Sequence, residues 1–286
     1  MTTFAITGAT GELGGRVARG LAALGATQRL VVRDAGRAPD LAGAEVAISP
    51  GYHDRGAMAA AFEGIDTVLL VSGRESASRV EEHATAIDAA VDAGVRRIVY
   101  TSFLGAAPDC TFTLGRQHWA TEQHLRASGL AWTFLQNALY LEAFAHFVGP
   151  DGAIRGPAGH GRTGAVARDD VAEAAVAVLT GAGHDGRTYR LTGAEAISLQ
   201  EAADVLSEVT GRPISYIEET EEEAYRSRAN LGAPAFEVEG WVTSYLAMRA
   251  GELDVVTDDV AALTGRPAQT LRPYLERHPE LWAHLR

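Results

Sequence analysis

A chain of 286 residues with 47% hydrophobic and 22% charged side chains is long and apolar enough to bury a large core, which excludes a disordered or fibrous protein. Its 25 basic and 37 acidic residues give a net charge of −12, and the basic residues gather on no face of the chain, so the sequence predicts no nucleic-acid partner. All of the basic residues are arginine. The absence of lysine excludes a Schiff-base nucleophile, a P-loop lysine and a Tyr-x-x-x-Lys proton relay.

Short aliphatic and β-branched runs alternate with helical patterns through the first two thirds of the chain, which predicts βαβ units and a parallel sheet. The predicted strands are Phe4–Thr7, Leu30–Val32, Glu45–Ile48, Thr67–Val71, Arg97–Tyr100 and Trp132–Leu135. The predicted helices are Leu13–Leu24, Gly56–Phe62, Ser78–Ala93 and Gln117–Ala127. The predicted fold class is therefore α/β, with a Rossmann-type doubly wound parallel sheet.

The alternation is interrupted after Asn137. An aromatic stretch, Tyr140–Phe147, is followed by a glycine-rich segment, Gly149–Gly164, which we predict to be a loop leading into a substrate lobe. A helix beginning near Asp169 or Asp170 and a strand at 188–191 predict a return to the sheet.

The last part of the chain is predicted to be mostly helical. Ser198 and Glu201 have the spacing of a capping box, and the acidic run Glu218–Glu223 is interpreted as a solvated first helical turn. We therefore predict an NADP-binding domain of residues 1–136 plus 165–195 and a smaller, mostly helical substrate lobe of residues 137–164 plus 196–286.

Cysteine content and hydropathy bear on the compartment. The single cysteine, Cys110, forms no intramolecular disulfide, and residues 3–7 have the pattern of a strand rather than of a charged leader. No apolar run reaches the roughly 18–20 residues that a membrane span requires. We expect a cytoplasmic protein that does not enter a membrane.

The strongest local signal is the segment TGATGELGG at residues 7–15, which directly follows the first strand and opens the first helix. Gly8 permits a tight exit from the strand, Gly11 permits close approach of a pyrophosphate, and Gly14 permits close packing of helix and sheet. The helix N-terminus offers unpaired N–H groups to that anion. The segment predicts a dinucleotide site; the alternative is a purely structural turn.

The spacing of these glycines resembles that of the short-chain dehydrogenase/reductase superfamily. The residue at the end of the second strand distinguishes the two nicotinamide dinucleotides, since a carboxylate binds a ribose 2′-hydroxyl and an arginine binds a 2′-phosphate. Arg33 stands first after the apolar run, with Arg37 nearby, and favours NADP (NADPH). The alternative is that Arg33 faces solvent and Asp34 binds the ribose.

Further segments carry a narrower resemblance. Asp66–Gly73, His118–Glu122, Thr133–Tyr140 and Leu263–Leu271 are similar to the NmrA-like atypical short-chain dehydrogenases, among them the type 2 quinone reductases and triphenylmethane reductase. The resemblance spans nearly the whole chain. It implies a Rossmann domain with a smaller C-terminal lobe, NADPH over the strand ends, and a small-molecule acceptor between the lobes.

The resemblance also assigns residues. The implied cofactor-binding residues are Gly8, Thr10, Gly11, Leu13, Arg33, Ser72, Gly73 and Thr101. Glu12 and Asn137 complete the predicted set of cofactor-binding residues. The candidate substrate residues are Phe103, Asn137 and Tyr140, with Trp119, Phe144 and Phe147 as further aromatic walls. Two positions depart from the family. Gly51 replaces an acidic residue beside the adenine, a contact that passes to Asp54 or is lost, and Gln136 replaces an arginine.

The candidate catalytic residues are His118, Glu122 and Ser102. His118 and Glu122 are four residues apart and share one helix face, so Glu122 is placed to orient the imidazole or raise its pKa. His118 is then a proton donor or acceptor ligand, or alternatively a packing or cofactor contact. Ser102, after the fifth strand, binds an acceptor carbonyl or caps a turn. No metal site is predicted, because His124 is out of phase with this pair.

These expectations lead to two functional hypotheses. The first is an NADPH-dependent oxidoreductase that transfers hydride to a conjugated acceptor, above all a quinone, with a triarylmethane dye, an imine or an enone behind it. The second is a regulatory protein that senses NADP(H) without turnover. Either protein is expected to be a monomer or a homodimer.

Overall fold

A computed structural model describes residues 3–286. Its strands are β1 (Phe4–Thr7), β2 (Gln28–Val32), β3 (Ala44–Ile48), β4 (Thr67–Leu70), β5 (Arg97–Phe103), β6 (Ala131–Asn137), β7 (Ala153–Gly156), β8 (Arg162–Thr163), β9 (Arg187–Leu191), β10 (Ile197–Ser198) and β11 (Ser215–Glu218). Its helices are α1 (Glu12–Ala23), α2 (Arg55–Phe62), α3 (Arg79–Asp92), α4 (Thr113–Ala127), α5 (Ala143–His146), α6 (Arg168–Thr180), α7 (Leu199–Thr210), α8 (Glu221–Arg228), α9 (Ala235–Arg249), α10 (Asp259–Thr264) and α11 (Leu271–Arg277).

The central sheet has seven strands in the order β3-β2-β1-β4-β5-β6-β9. β1 pairs in parallel with β2 on one side and with β4 on the other, and the β2–β3 and β4–β5 pairs are also parallel. The strand order therefore reverses between β1 and β4. In doubly wound sheets, ligands bind outside the carboxyl ends of the strands at this reversal. The predicted Rossmann-type fold class is confirmed.

Two compact units make up the chain. The first extends to Phe103 and includes Gln117–Gln136 and Val171–Tyr189. The second comprises Leu104–Arg116, Asn137–Asp170 and Arg190–Arg286. These bounds share with the predicted domains the departure at residue 137. The observed and predicted units differ at two places. The segment Leu104–Arg116, after β5, belongs to the second unit, and the chain passes back to the second unit at Arg190, within β9.

The core of the first unit explains why its strands are almost continuously apolar. Every residue of β1 and β4 is buried, since helices cover both faces of a parallel sheet. Phe62, Tyr100 and Phe134 are fully buried in this core. Such burial stabilises the fold by roughly 1.5–3 kcal/mol for each large apolar side chain.

The predicted helix termini are well reproduced. The capping box at α7 is present: the Ser198 hydroxyl accepts from the Glu201 amide while the Glu201 carboxylate accepts from the Ser198 amide. Gly94, predicted to end α3, has a φ of +74° and lies in the left-handed region. No helix among residues 3–286 is long and apolar enough to cross a membrane.

Two predictions about the second unit are wrong. The segment Gly149–Gly164 contains the strands β7 and β8, which pair with β11 and β10. The acidic run begins in β11, and Glu219 is buried with its carboxylate 2.8 Å from the Arg228 guanidinium. Only the part from Glu221 onward forms the first turn of a helix, capped by Thr220. Both errors have one cause. The strands that pair are distant in sequence, and a local sequence pattern carries no information about such a partner.

Candidate active site

The glycine segment forms a cradle between β1 and α1. Gly8 leaves the strand with a φ of +62°, in the left-handed region that favours glycine. A Cβ atom at Gly14 would lie 2.4 Å from the Gly8 carbonyl oxygen, so no other residue fits there without a shift of the backbone. Gly11 is the N-cap of α1 and provides no side-chain cap. The first N–H groups of this helix are therefore available to an anion.

A cleft of about 340 Å³ lies over this cradle at the carboxyl ends of β1, β2 and β4. It is lined by eight of the predicted cofactor residues: Gly8, Thr10, Gly11, Glu12, Leu13, Arg33, Ser72 and Gly73. Thr101 lies behind the lining, where its hydroxyl accepts a 2.8 Å hydrogen bond from the Ser72 amide. Asn137 belongs to the second unit. The donor set and the glycine cradle fit a pyridine dinucleotide.

The end of β2 provides the charge that distinguishes the two dinucleotides. Arg33 is exposed and lines the cleft. The Asp34 carboxylate accepts a 2.9 Å hydrogen bond from the Gly36 amide and caps a short turn. Asp34 is engaged in its own turn, and Arg33 is the charged residue at the end of this strand that lines the cleft. Asp54 is likewise engaged as the cap of α2, through the Ala57 amide.

Tyr52 forms the wall opposite the cradle. Its hydroxyl lies 2.6 Å from both the Thr7 hydroxyl and the Val71 carbonyl oxygen, and the Val71 amide donates to the same Thr7 hydroxyl. Burial raises the pKa of Tyr52 to about 12. The phenol therefore stays neutral and joins the ends of β1 and β4 across the strand reversal.

The environment of His118 defines its protonation state. Its imidazole is 6% exposed, with Nε2 lying 2.9 Å from the Arg79 guanidinium and Nδ1 lying 2.9 Å from the Tyr100 hydroxyl. An arginine only donates, so Nε2 accepts and the ring proton is on Nδ1. Burial, followed by the charge of Arg79, lowers the pKa of His118 well below its ordinary value. The ring is neutral, and both nitrogens are engaged.

Glu122 has different partners from those expected. It binds neither nitrogen of His118; its Oε1 atom accepts hydrogen bonds from the Ser102 hydroxyl at 2.6 Å and from the Gln136 amide at 3.0 Å. Burial is the largest influence and raises the pKa of the Glu122 carboxyl, which these two neutral donors oppose. The Ser102 hydroxyl is bound to this buried carboxyl and caps no turn among residues 3–286. A contact of Ser102 with an acceptor carbonyl stays a prediction.

The candidate substrate residues of the second unit are Asn137 and Tyr140. The Asn137 amide donates a 3.2 Å hydrogen bond to the Tyr140 hydroxyl, and the Arg168 guanidinium stacks 4.3 Å from the centre of the Tyr140 ring. The Asn137 Oδ1 atom is buried without a hydrogen-bond partner among residues 3–286. Phe144 is fully buried and packs edge-on against Phe147, so it belongs to the core of this unit.

The aromatic candidate of the first unit is Phe103, at the end of β5. It is partly buried, and its ring centre lies 6.1 Å from that of His118. The Phe103 ring thus places an apolar surface beside the His118 imidazole.

The comparisons with known proteins agree with this geometry. Residues 8–182 match the family model described as NAD(P)H-binding. The chain belongs to this NAD(P)H-binding family. An NAD(P)H azoreductase from Xenophilus azovorans is 32% identical over 277 residues, covering 96% of each chain. A (4-alkanoyl-5-oxo-2,5-dihydrofuran-3-yl)methyl phosphate reductase from Streptomyces griseus is 35% identical over 282 residues, covering 97% of this chain and 98% of the relative.

A solved structure gives the same result. The NADPH-dependent quinone oxidoreductase of Escherichia coli, solved with NADPH, superposes with a TM-score of 0.87 at 31% identity, covering 96% of this chain and 99% of that one. Each of these proteins is named as a reductase or oxidoreductase and matches nearly its full length. This member of the NAD(P)H-binding family is accordingly an NAD(P)H-dependent oxidoreductase.

Several residues of this oxidoreductase were missed at the level of the sequence. Arg74 lines the cofactor cleft as a second exposed arginine, and Tyr52 forms its wall. On α3, Arg79 contacts His118 of α4 and His83 contacts Thr121 of α4. The available signal was their spacing, since an arginine and a histidine four residues apart share one helix face.

Proposed function

We propose that this protein is an NADPH-dependent reductase that transfers hydride to a small, planar, conjugated acceptor, with a quinone as the first candidate. The observation that carries the cofactor choice is the position of Arg33 at the end of β2, in the same cleft as the glycine cradle, while the neighbouring Asp34 is used in its own turn. A guanidinium suits a 2′-phosphate through charge-assisted hydrogen bonds. Bound NADPH supplies the hydride.

The acceptor class follows from chemistry that the relatives' names share. An azo compound, a quinone and an unsaturated furanone each present an electron-poor conjugated system to a reductant. We propose that this protein reduces an acceptor of the same kind. The candidate contacts are Phe103 in the first unit and, considered separately, Asn137 and Tyr140 in the second. The unpartnered Oδ1 atom of Asn137 supports a contact with a donor group of the ligand.

We further propose that Ser102 and Glu122 supply the proton that accompanies the hydride. For this step the Ser102 hydroxyl turns its hydrogen away from the Glu122 carboxyl and donates it to the oxygen of the reduced acceptor. The protonated Glu122 carboxyl then donates its own proton to the Ser102 oxygen, and water later reprotonates the carboxylate. The 2.6 Å hydrogen bond between the two side chains and the raised pKa of Glu122 support this path. A neutral His118 with both nitrogens engaged is less suited to donate.

The test is the loss of reduced-nicotinamide absorbance with a panel of quinones, azo dyes and enones, with NADPH and NADH in parallel. We expect turnover of at least one acceptor class with a preference for NADPH. Tight NADP binding without turnover of any acceptor would instead support the regulatory hypothesis.

We propose a cytoplasmic location and a monomeric or homodimeric state, as the sequence predicts. The buried, unpaired thiol of Cys110 is compatible with a reducing compartment. Light scattering of the purified protein measures the oligomeric state directly.

A further inference from the structure

A guanidinium is buried between the cofactor cleft and α4. Arg79 is 4% exposed; its Nε donates a 3.0 Å hydrogen bond to the Gly73 carbonyl, and one Nη donates to His118 Nε2. Its other Nη has no hydrogen-bond partner among residues 3–286. Burying a cation in this way is costly, and an apolar side chain would fill the same volume without that cost. The charge therefore calls for a role other than packing.

The Gly73 peptide is held from both sides. Its carbonyl accepts from Arg79, and its amide donates a 2.8 Å hydrogen bond to His83 Nε2. Gly73 lines the cofactor cleft, whereas Arg79 and His83 do not. A Cβ atom at Gly73 would lie 3.3 Å from His83 Nε2 and 3.4 Å from the Tyr52 ring, so the peptide is closely packed as well as hydrogen-bonded.

The same contacts fix two imidazoles in one tautomer. His83 accepts at Nε2, so its proton is on Nδ1 and is donated to the Thr121 hydroxyl at 3.0 Å. His118 accepts from Arg79 at Nε2, and its Nδ1 proton is donated to Tyr100. Burial and the charge of Arg79 lower the pKa of His83 to about 3.

Other groups face His118 from the elements packed against it. They are Arg79 and His83 on α3 and Tyr100 and Phe103 on β5. Glu122, one turn along the same helix, binds Ser102 and Gln136 instead. None of them is a carboxylate that binds the ring, and the one fixed positive charge is that of Arg79. Protonation of His118 would set two cations against each other in a buried site.

We propose that Arg79 is a positioning residue for the reductase: it holds the Gly73 peptide against the dinucleotide and keeps His118 as a neutral acceptor, without itself touching the cofactor. This inference rests on the proposed function. It predicts that both dinucleotides depend on Arg79, since the Gly73 peptide carries no contact that distinguishes a 2′-phosphate. Loss of Arg33 is instead expected to weaken NADP and not NAD, because only NADP carries the 2′-phosphate.

The first experiment measures binding of NADP⁺ and NAD⁺ by calorimetry to Arg79→Met, Arg79→Lys and the exposed-site control Arg187→Met. We expect Arg79→Met to weaken binding of both dinucleotides roughly tenfold or more, because the charged hydrogen bond that holds the Gly73 peptide in its binding position is lost. Arg79→Lys keeps the charge but not the two-sided contact and should fall between Arg79→Met and the wild type. Unchanged affinities in a folded Arg79→Met protein would overturn the proposal.

The second experiment uses the wild-type protein, so it tests the proposed role of Arg79 even if Arg79→Met does not fold. Two-bond ¹H–¹⁵N spectra report imidazole tautomers. We expect His83 and His118 to be neutral, with the proton on Nδ1, and to remain so when the pH is lowered below their ordinary pKa. Titration of either ring near its ordinary pKa, or a proton on Nε2, would contradict the proposal. Neither experiment needs turnover. A failure of the proposed reductase function would appear in the acceptor panel, whereas a failure of the Arg79 proposal would appear in these binding and tautomer measurements.

Discussion

The Ser102 hydroxyl donates a 2.6 Å hydrogen bond to the Glu122 carboxyl, with both side chains 3% exposed. Gln136 donates to the same carboxyl oxygen and brings no charge. Burial raises the pKa of Glu122 and outweighs the opposing influence of the Gln136 and Ser102 hydrogen bonds and of the Arg126 charge. The acid form of a carboxyl is what a proton donor requires.

The pH profile tests this pair. If protonated Glu122 is required, turnover falls as the pH rises through its raised pKa. Glu122→Gln and Ser102→Ala should lower kcat by roughly 10²–10⁴-fold, the usual contribution of general acid catalysis, and remove that fall. Gln136→Arg adds a cation beside the carboxyl and should shift the fall to lower pH. An unchanged profile in all three variants would indicate that the proton comes from solvent.

Cofactor choice is tested at Arg33. Arg33→Ala removes the charge that we assign to the 2′-phosphate, so the dissociation constant of NADP⁺ should rise roughly 10–100-fold, as the loss of a charged hydrogen bond implies. The affinity for NAD⁺ should change little. Calorimetry with both dinucleotides is the measurement, and Arg187→Ala, an exposed arginine outside the cleft, is the control. Equal losses for both dinucleotides would refute the assignment.

The glycine cradle is tested by Gly14→Ala. The new Cβ would lie 2.4 Å from the Gly8 carbonyl oxygen, so α1 must move away from β1. We expect the free energy of unfolding to fall by about 1–3 kcal/mol, with loss of dinucleotide affinity. Gly56→Ala is the matched control, because that exposed glycine lies in the first turn of α2 and its Cβ meets nothing closer than 3.7 Å. It should be neutral or slightly stabilising.

Acid stability is tested at His83. Its pKa in the folded protein is about 3, below the value of 6.5 expected for the unfolded chain. A histidine kept neutral stabilises the fold fully above pH 6.5, and that stability is lost progressively as the pH falls from 6.5 toward 3. The urea midpoint of the wild type should therefore fall between pH 7 and pH 5 more steeply than that of His83→Gln. Parallel declines would show that other groups cause the acid sensitivity.

The sequence was informative wherever a signal is local. The strand Phe4–Thr7 was predicted with its observed bounds, and the capping box of Ser198 and Glu201 was recovered, because each depends on neighbours a few residues apart. The glycine cradle and Arg33 were likewise predicted from one strand–helix–strand unit, β1-α1-β2. For the same reason the cofactor cleft was largely predicted from the sequence.

What the sequence by itself determined is the sheet, the cradle and the class of ligand, since these follow from hydrophobic period and from the steric demands of glycine. Tertiary structure alone decided which side chains meet. Spacing placed His118 beside Glu122 on one helix face, yet each side chain binds residues from other elements, His118 to Arg79 and Glu122 to Ser102. Helix period fixes the direction of a side chain, but hydrogen-bond partners and burial are set by the elements packed against it, and these partners determine which group can carry a proton.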